Sequence, residues 1–377
     1  MPLIPILGTV FGIGYWLFAL RCAISFRSQS IDLRKANFKP PVSILKPLCG
    51  MDPHAYQSLR SHCVQVYPEF EIIFGVADSN DDIIPAVRKL IAEFPQIPIT
   101  LVHCPQRLGS NLKVSNLIQM LPSAKHEFLV INDSDIEVPK DYLHRIIAPL
   151  ENSTVGLVTC LFRAVAGRSL GSRLEGLGIG SDFVPGVLCA RRMEGGIRFA
   201  LGSTLAFSRQ ALEKIGGLTP LADFLADDYQ LGYRIYQAGF RIEFADCIVD
   251  HYLPEYSFGA FIQHQLRWAR TVRASRPAGY AGLVFSMVLP WSLLAIFLLP
   301  KAILPWVLFA LAMLLRYAVW FATRAYVLRD ARGTQEAWLL PIRDLISLAV
   351  WFLSYMGRKV VWRGKRFELL KGKLREV

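Results

Sequence analysis

Glu127-Phe-Leu-Val-Ile-Asn-Asp-Ser-Asp135 is the stretch on which the reading of this chain turns. An apolar, β-forming run leads straight into two carboxylates one residue apart. The pattern predicts a buried parallel strand whose C-terminal end delivers Asp133 and Asp135 to the sheet edge where open α/β folds bind ligands. Two carboxylates there suit a hard divalent cation, Mg²⁺ or Mn²⁺, which takes one or two protein carboxylates and completes its shell with phosphate oxygens. A D-x-D pair also serves simply as a helix cap, so the surrounding chain has to decide between the two.

Working outward, strands and helices alternate. Val42 to Leu45 reads as a strand, and Asp52 to Gln65 as a helix with Asp52 at its cap and Pro53 at its first position. Glu71 to Ala77 is a second buried strand, ending at Asp78. A helix (Asp82 to Glu93), a strand (Ile99 to His103), a loop (Gly109 to Lys113) and another helix then lead back to the opening strand. Such alternation predicts an α/β domain over residues 40–275 with a mostly parallel, doubly wound sheet. After Pro139 the pattern loosens, with strands near 155–162 and 203–207 and a glycine-rich stretch over 181–197 carrying Arg191 and Arg192.

The chain is 53% hydrophobic with a mean hydropathy of +0.34, which calls for membrane segments. Residues 1–24 read as an uncleaved transmembrane anchor. Arg21, Arg27, Arg34, Lys35 and Lys39 follow the apolar run and put the next domain in the cytosol by the positive-inside rule. Residues 279–357 form a second membrane region. Residues 279–300 and 302–323 are long enough to span, the latter interrupted by Arg316. Residues 338–357 carry Pro341, Arg343 and Asp344. Three crossings would leave the basic tail, residues 358–377, outside, so this last segment is expected to be re-entrant or interfacial; the alternative is a full span with an exceptional tail. The tail has eight Lys/Arg against two Glu and carries half of the net +12. Beside apolar segments it suggests anionic lipid, and no zinc-finger spacing or RNA-binding signature speaks for nucleic acid. The seven cysteines are scattered, as in a reducing compartment.

Four further positions bear on chemistry. Asp78, in Val76-Ala-Asp-Ser-Asn-Asp-Asp82, is either a turn residue or a carboxylate for the base or ribose of a nucleotide. Lys113 is either a solvated lysine or an ammonium for a diphosphate. In Ala226-Asp-Asp-Tyr229, Asp227 reads as a helix cap, while mutual repulsion of the two acids pushes one of them toward a higher pKa and makes it a usable general base. His264-Gln-Leu-Arg-Trp268 lies on an amphipathic helix just before the membrane region. There Arg267 is either an interfacial arginine or a partner for a leaving diphosphate, and Trp268 either a belt residue or a pocket wall.

Together, Asp78, Asp133-Ser-Asp135, Asp228 and His264-x-x-Arg267-Trp268 resemble the D, D-x-D, D, (Q/R)-x-x-R-W series of family-two-like inverting glycosyltransferases. Lys46-Pro-Leu-Cys-Gly50, Gly109-Ser-Asn-Leu-Lys-Val-Ser-Asn116 and Ala226-Asp-Asp-Tyr229 look like the ceramide glucosyltransferase family. Val130 to Ile136, Glu194 to Phe199 and Leu201 to Phe207 look like its bacterial branch, the hopanoid-biosynthesis glycosyltransferases. The resemblance implies a glycosyltransferase-A fold, a UDP-sugar donor with Asp78 on the uridine side, and a divalent cation on Asp135 with Asp133 nearby. It implies Asp228 as the base and Arg267 at the leaving group. It implies a membrane-lipid acceptor: N-acetylglucosamine onto bacteriohopanetetrol, or alternatively glucose onto ceramide, in a bacterial inner membrane. A processive polysaccharide synthase and a non-catalytic scaffold are the rival readings. His264 departs from the pattern, since Gln or Arg is usual there and Gln263 is one residue off register.

Overall fold

The computed structural model describes residues 3–28, 37–52, 54–332, 334–362 and 364–376. After the long apolar helix α1 (Leu3–Ser28) come β1 (Val42–Leu48), α2 (Ala55–Cys63), β2 (Phe70–Val76), α3 (Ile84–Glu93), β3 (Ile99–His103), α4 (Leu112–Met120) and β4 (Phe128–Ile131). β1 and β2 are buried at every position, as strands covered on both faces must be. β1 pairs in parallel with β2 and β4, and β2 with β3, so this half is the expected parallel sheet. All four strands therefore end at one rim.

The second half holds β5 (Ile136–Glu137), α5 (Tyr142–Ile147), β6 (Val155–Val165), α6 (Leu170–Gly178), α7 (Val184–Met193), β7 (Leu205–Ser208), α8 (Arg209–Lys214), α9 (Asp227–Gln237) and β8 (Arg241–Tyr252). The eight-stranded order is β3-β2-β1-β4-β7-β6-β8-β5. β7 is antiparallel to both β4 and β6, β5 is antiparallel to β8, and β6 and β8 are parallel. The sheet is thus mostly parallel but mixed. The chain leaves β6 for α6 and α7 and re-enters from the same end, which forces β7 to run backwards. The glycine-rich 181–197 stretch is largely helical: a π-helical turn (Ile179–Phe183) runs into α7.

Two helix starts differ from expectation. Asp52 does not cap α2, which begins at Ala55 behind a left-handed His54 (φ 79°) without a side-chain cap; the Asp52 carboxylate instead accepts from Ser134 Oγ at 3.2 Å. Pro53 lies outside the described residues, as do Arg34 and Lys35. α3 starts at Ile84 rather than Asp82, with Pro85 in its first turn.

After β8 come α10 (Phe258–Ser275), which ends the α/β domain, and then α11 (Pro277–Gly282), α12 (Val288–Leu298), α13 (Ile303–Ala322) and α14 (Leu340–Tyr355). Among the described residues, three helices are long and apolar enough to cross a membrane: Leu3–Phe26, Ile303–Val327 and Ala337–Tyr355. Where residues 279–300 read from sequence as long enough to span, the structure has a pair of helices, Pro277–Ser286 and Val288–Leu298, bent by 47° at Met287. α1 packs on α12 and α13. Gly8 lies under Trp291 and Gly12 under Val288, where any Cβ would collide. The charge inside α13 is paired: Arg316 donates to Asp344 at 2.5 Å and to Asp182 and the Ser181 carbonyl, each at 3.0 Å, and it covers the Trp16 ring at 4.0 Å.

α14 lies along α10. Arg343 donates to Gln265 Oε1 at 2.6 Å near one end, and Arg273 donates to the Ser354 and Gly357 carbonyls at the other. Leu340, Arg343, Asp344, Val350 and Ser354 face the protein, while Trp338, Ile342, Leu345, Phe352 and Met356 form an exposed apolar stripe at helical spacing.

The segment 358–377 was expected as a tail; it folds as a three-stranded antiparallel sheet of β9 (Lys359–Trp362), β10 (Lys365–Leu370) and β11 (Lys373–Glu376). Alternating Val360, Phe367, Leu369 and Leu374 cover Leu225 of the catalytic domain. Leu374 N–H donates to the Asp223 carbonyl at 2.7 Å and Leu225 N–H to the Gly372 carbonyl at 3.2 Å. Both ends of the 276–358 excursion therefore rest on the same catalytic domain.

Candidate active site

β4 ends at Ile131, and Asn132 fixes the turn that follows. Its Nδ2 is buried and donates to Tyr142 Oη at 2.7 Å and to the Ser203 carbonyl at 2.8 Å. Lys46, buried at the end of β1, donates to the Asp133 carbonyl at 3.0 Å and lies 3.4 Å from His62 Nε2. Burial pushes its ammonium down to about 7 against the pull of Asp133 and Asp135. Asp135 turns to β8, where its Oδ2 meets His251 Nε2 at 3.1 Å. Burial raises the Asp135 carboxyl, but His251 outweighs it and holds the group below its ordinary value; reciprocally, Asp135 lifts His251 against its own burial. The other oxygen of Asp135, Oδ1, is buried with no hydrogen-bond partner among the described residues.

Lys113 stands not in a loop but in the first turn of α4, which Asn111 caps by accepting from Val114 N–H. Its Nζ bridges Asp133 Oδ1 at 2.7 Å and Asp227 Oδ2 at 3.0 Å. Asp227 and Asp228 open α9. Asp228 accepts from Gly202 N–H at 2.8 Å and from its neighbour Tyr229 N–H at 2.7 Å. Burial pushes its carboxyl up to about 6; Asp227 adds to the rise and Lys113 opposes it. A Cβ on Gly202 would sit 2.9 Å from Asp133 Oδ2 and 3.3 Å from Asp228 Oδ2, so the two carboxylates meet over that glycine. α9 itself approaches through Gly232, where a Cβ would fall 2.4 Å from Ala200 N.

The third group comes from α10. Trp268 packs on Phe183 with ring centroids 5.7 Å apart, Phe183 on Phe162 at 5.3 Å, and Phe162 on His251 at 5.4 Å. An aromatic wall thus runs from α10 to the partner of Asp135. Arg267 is within electrostatic reach of Tyr256, as are Asp135 and Asp52. His264 lies between Tyr256 and Trp268, at 5.3 and 5.2 Å, with Nδ1 3.5 Å from Glu175 Oε2. Gln263 is exposed, whereas Gln265 is buried and joins Glu175 to Arg343.

Of the residues singled out from sequence, Asp133, Lys113, Asp227 and Asp228 are in one cluster. Asp135 joins it through the same turn, and Trp268 is linked to Asp135 through the aromatic wall. Asp78 is not in contact with them. It lies just past β2, exposed, with Oδ1 accepting from Asn80 N–H at 2.9 Å in a local turn. Because β2, β1 and β4 are parallel neighbours, it is nonetheless on the same rim, roughly 10 Å away by strand spacing. Sequence reasoning missed Lys46, His62, Glu175, Phe183 and His251. Lys46 alone had a signal, the Lys46-Pro-Leu-Cys-Gly50 wording. No group of three or more His, Cys, Asp or Glu side chains among the described residues is arranged to hold a metal. A cation of the kind that completes its shell with phosphate oxygens does not need such a group.

Comparison with known proteins bears on the family and the fold. The model of glycosyl transferase family 21 matches residues 4–375. Ceramide glucosyltransferase 3 of Caenorhabditis elegans is 21% identical over 98% of this chain and 82% of its own. The ceramide glucosyltransferase of Komagataella phaffii is 34% identical over 33% of this chain and 26% of its own. The probable glycosyltransferase YdaM of Bacillus subtilis is 24% identical over 64% and 58%, respectively. Among solved structures, the mannosyltransferase PcManGT from Pyrobaculum calidifontis, determined with GDP-Man and Mn²⁺, superposes with a TM-score of 0.51 and 19% identity over 91% of this chain and 98% of that one. That likeness establishes a glycosyltransferase-A fold. With a family model spanning nearly the whole sequence and the acidic motifs gathered at one sheet rim, the chain belongs to glycosyl transferase family 21.

Proposed function

We propose that this glycosyltransferase moves a sugar from a UDP-sugar to the hydroxyl of a membrane lipid, with inversion at the anomeric carbon. The observation that carries the reading is the convergence of Asp133, Asp227 and Asp228 on Lys113 and Gly202, with Asp228 raised to about 6. A carboxylate so raised is still mostly ionised at pH 7 and basic enough to take a proton from an attacking hydroxyl. The new C–O bond forms on the face opposite the departing group, the bond to the UDP oxygen breaks, and the acceptor proton ends on Asp228. Lys113 meets the diphosphate, and Arg267 stabilises its leaving charge. Asp78 holds the uridine side.

Asp135 is the fitting ligand for a divalent cation: it is ionised, oriented by His251, and has a buried Oδ1 without a hydrogen-bond partner among the described residues. Asp133 would lie alongside. When bound, the cation neutralises charge on the diphosphate.

The acceptor is argued from position. Trp268 stands in the helix that leads into the membrane region, and α14 beside it shows an apolar stripe. N-acetylglucosamine onto bacteriohopanetetrol is the reading favoured by the Glu194 to Phe199 and Leu201 to Phe207 wording. Glucose onto ceramide is the second, favoured by the names of the Caenorhabditis and Komagataella relatives. The catalytic domain is assigned to the cytosolic face of a bacterial inner membrane. In support, basic residues follow α1, and the C-terminal sheet rests on the catalytic domain. α14, lying along α10 with both ends on that domain, is the interfacial segment.

The deciding experiment incubates membranes containing the protein with radiolabelled UDP-N-acetylglucosamine or UDP-glucose and each lipid, and analyses the products by mass spectrometry. One sugar on an organic-extractable lipid, absent with Asp228→Asn, is the expected result. Labelled polymer, or no lipid product, would overturn the reading.

A further inference from the structure

The C-terminal sheet has two faces with different work. Its inner face packs on Leu225 and Ala274. Its edge is hydrogen-bonded to residues 223–225, immediately before Asp227 and Asp228. The same turn supports the lysine helix. Asp223 accepts from Ser110 N–H at 3.0 Å, and the Phe224 carbonyl accepts from the Asn111 side chain at 2.7 Å. The sheet therefore braces both acidic residues and the start of α4.

The opposite face carries charge that the reaction does not use. Strand alternation and register place Lys359, Arg366 and Arg375 there with a single acid, Glu368, and Lys371 sits in the turn between β10 and β11. All four cations are exposed, and none is ion-paired with a carboxylate among the described residues. Lys359 follows Met356, the last residue of the apolar stripe on α14, by only three positions, at most about 10 Å of chain. A basic rim continuous with an exposed apolar stripe is the arrangement that meets a negatively charged bilayer surface, with long cationic side chains reaching the headgroups.

We propose that residues 359–362 and 364–376 are a contact for anionic phospholipid headgroups, and that this contact steadies the Asp223–Asp228 turn. The inference goes beyond glycosyl transfer and does not depend on which sugar or acceptor is used. Its test is hydrogen exchange on the full chain in nanodiscs of phosphatidylcholine, alone or mixed with phosphatidylglycerol. Amides of residues 359–362 and 364–376, and those of Leu225 and its neighbours in the braced turn, are expected to exchange about tenfold more slowly in the anionic bilayer. The variant K359Q/R366Q/K371Q/R375Q should lose that difference while matching the natural protein in phosphatidylcholine alone. Equal exchange in the two bilayers, or a difference that survives in the variant, would overturn the proposal.

Discussion

Replacing Lys113 by Met tests the electrostatics of the site through a shift in pH rather than a loss of rate. Lys113 is the cation that opposes the rise of Asp228, and it is shared with Asp133 and Asp227. Unit charges about 4 Å apart interact by roughly 4 kcal/mol at an effective dielectric of about 20. Asp133 and Asp227 hold the direct contacts with the ammonium, so Asp228 feels it from farther away, and at roughly 8–10 Å the same dielectric leaves about 1–2 kcal/mol, or about one pH unit. Removing the cation disfavours the ionised form, so the pKa must rise, from about 6 in the natural protein to roughly 7 in the variant. A base works only when deprotonated, so activity falls as pH drops through this value. The acid limb of kcat/KM should therefore move upward by about one unit. At pH 6 the ionised fraction falls from about one half to about one tenth, an extra loss of roughly fivefold over that seen at pH 8. The assay is the pH profile of sugar transfer to detergent-solubilised lipid acceptor. An acid limb that stays in place, or moves down, would refute the assignment of Asp228 as the titrating base beside Lys113.

Three other outcomes follow from the same geometry. Asp228→Asn keeps the size of the side chain but removes the proposed proton acceptor, so turnover should fall by about 10²–10⁴ while UDP affinity, measured by calorimetry, stays within about twofold. Asp135→Ala should abolish the dependence of UDP binding on added Mn²⁺ or Mg²⁺; natural-protein affinity that is unchanged by EDTA would remove the cation from Asp135. Cys49 is exposed whereas the other six cysteines are buried. A membrane-impermeant maleimide should therefore label intact cells weakly and permeabilised cells strongly at Cys49, and labelling of intact cells would reverse the orientation.

What the sequence shows, and what it hides, follows from how far each signal reaches along the chain. β1, β2 and β4 were legible because burial on both faces writes continuous apolar runs, and the Asp133/Asp135 pair was legible because it directly ends one of them. The reversed β7 was not, since direction within a sheet depends on where the α6–α7 excursion lands. His251 was hidden for a related reason: its meaning lies in a 3.1 Å contact with a carboxylate 116 residues away. His264 shows the same limit from the opposite side. As a motif letter it is a departure from Gln or Arg; in the fold it sits against Glu175, while Gln265 beside it spans from Glu175 to Arg343 of α14. Glu175 is buried, and although burial raises its carboxyl, His264 and Arg343 reverse the effect and hold it below its ordinary value. A buried carboxylate held by partners on two helices keeps its charge only while both stay in place, because an uncompensated buried charge is strongly destabilising. The departure at His264 therefore belongs to a lock that seats α10, and with it Arg267 and Trp268, against α6 and α14. On that argument His264→Gln, which restores the usual letter but not the imidazole, should loosen α10 and raise the acceptor KM by several-fold while leaving the donor KM unchanged. A rise in the donor KM alone would instead place His264 at the nucleotide.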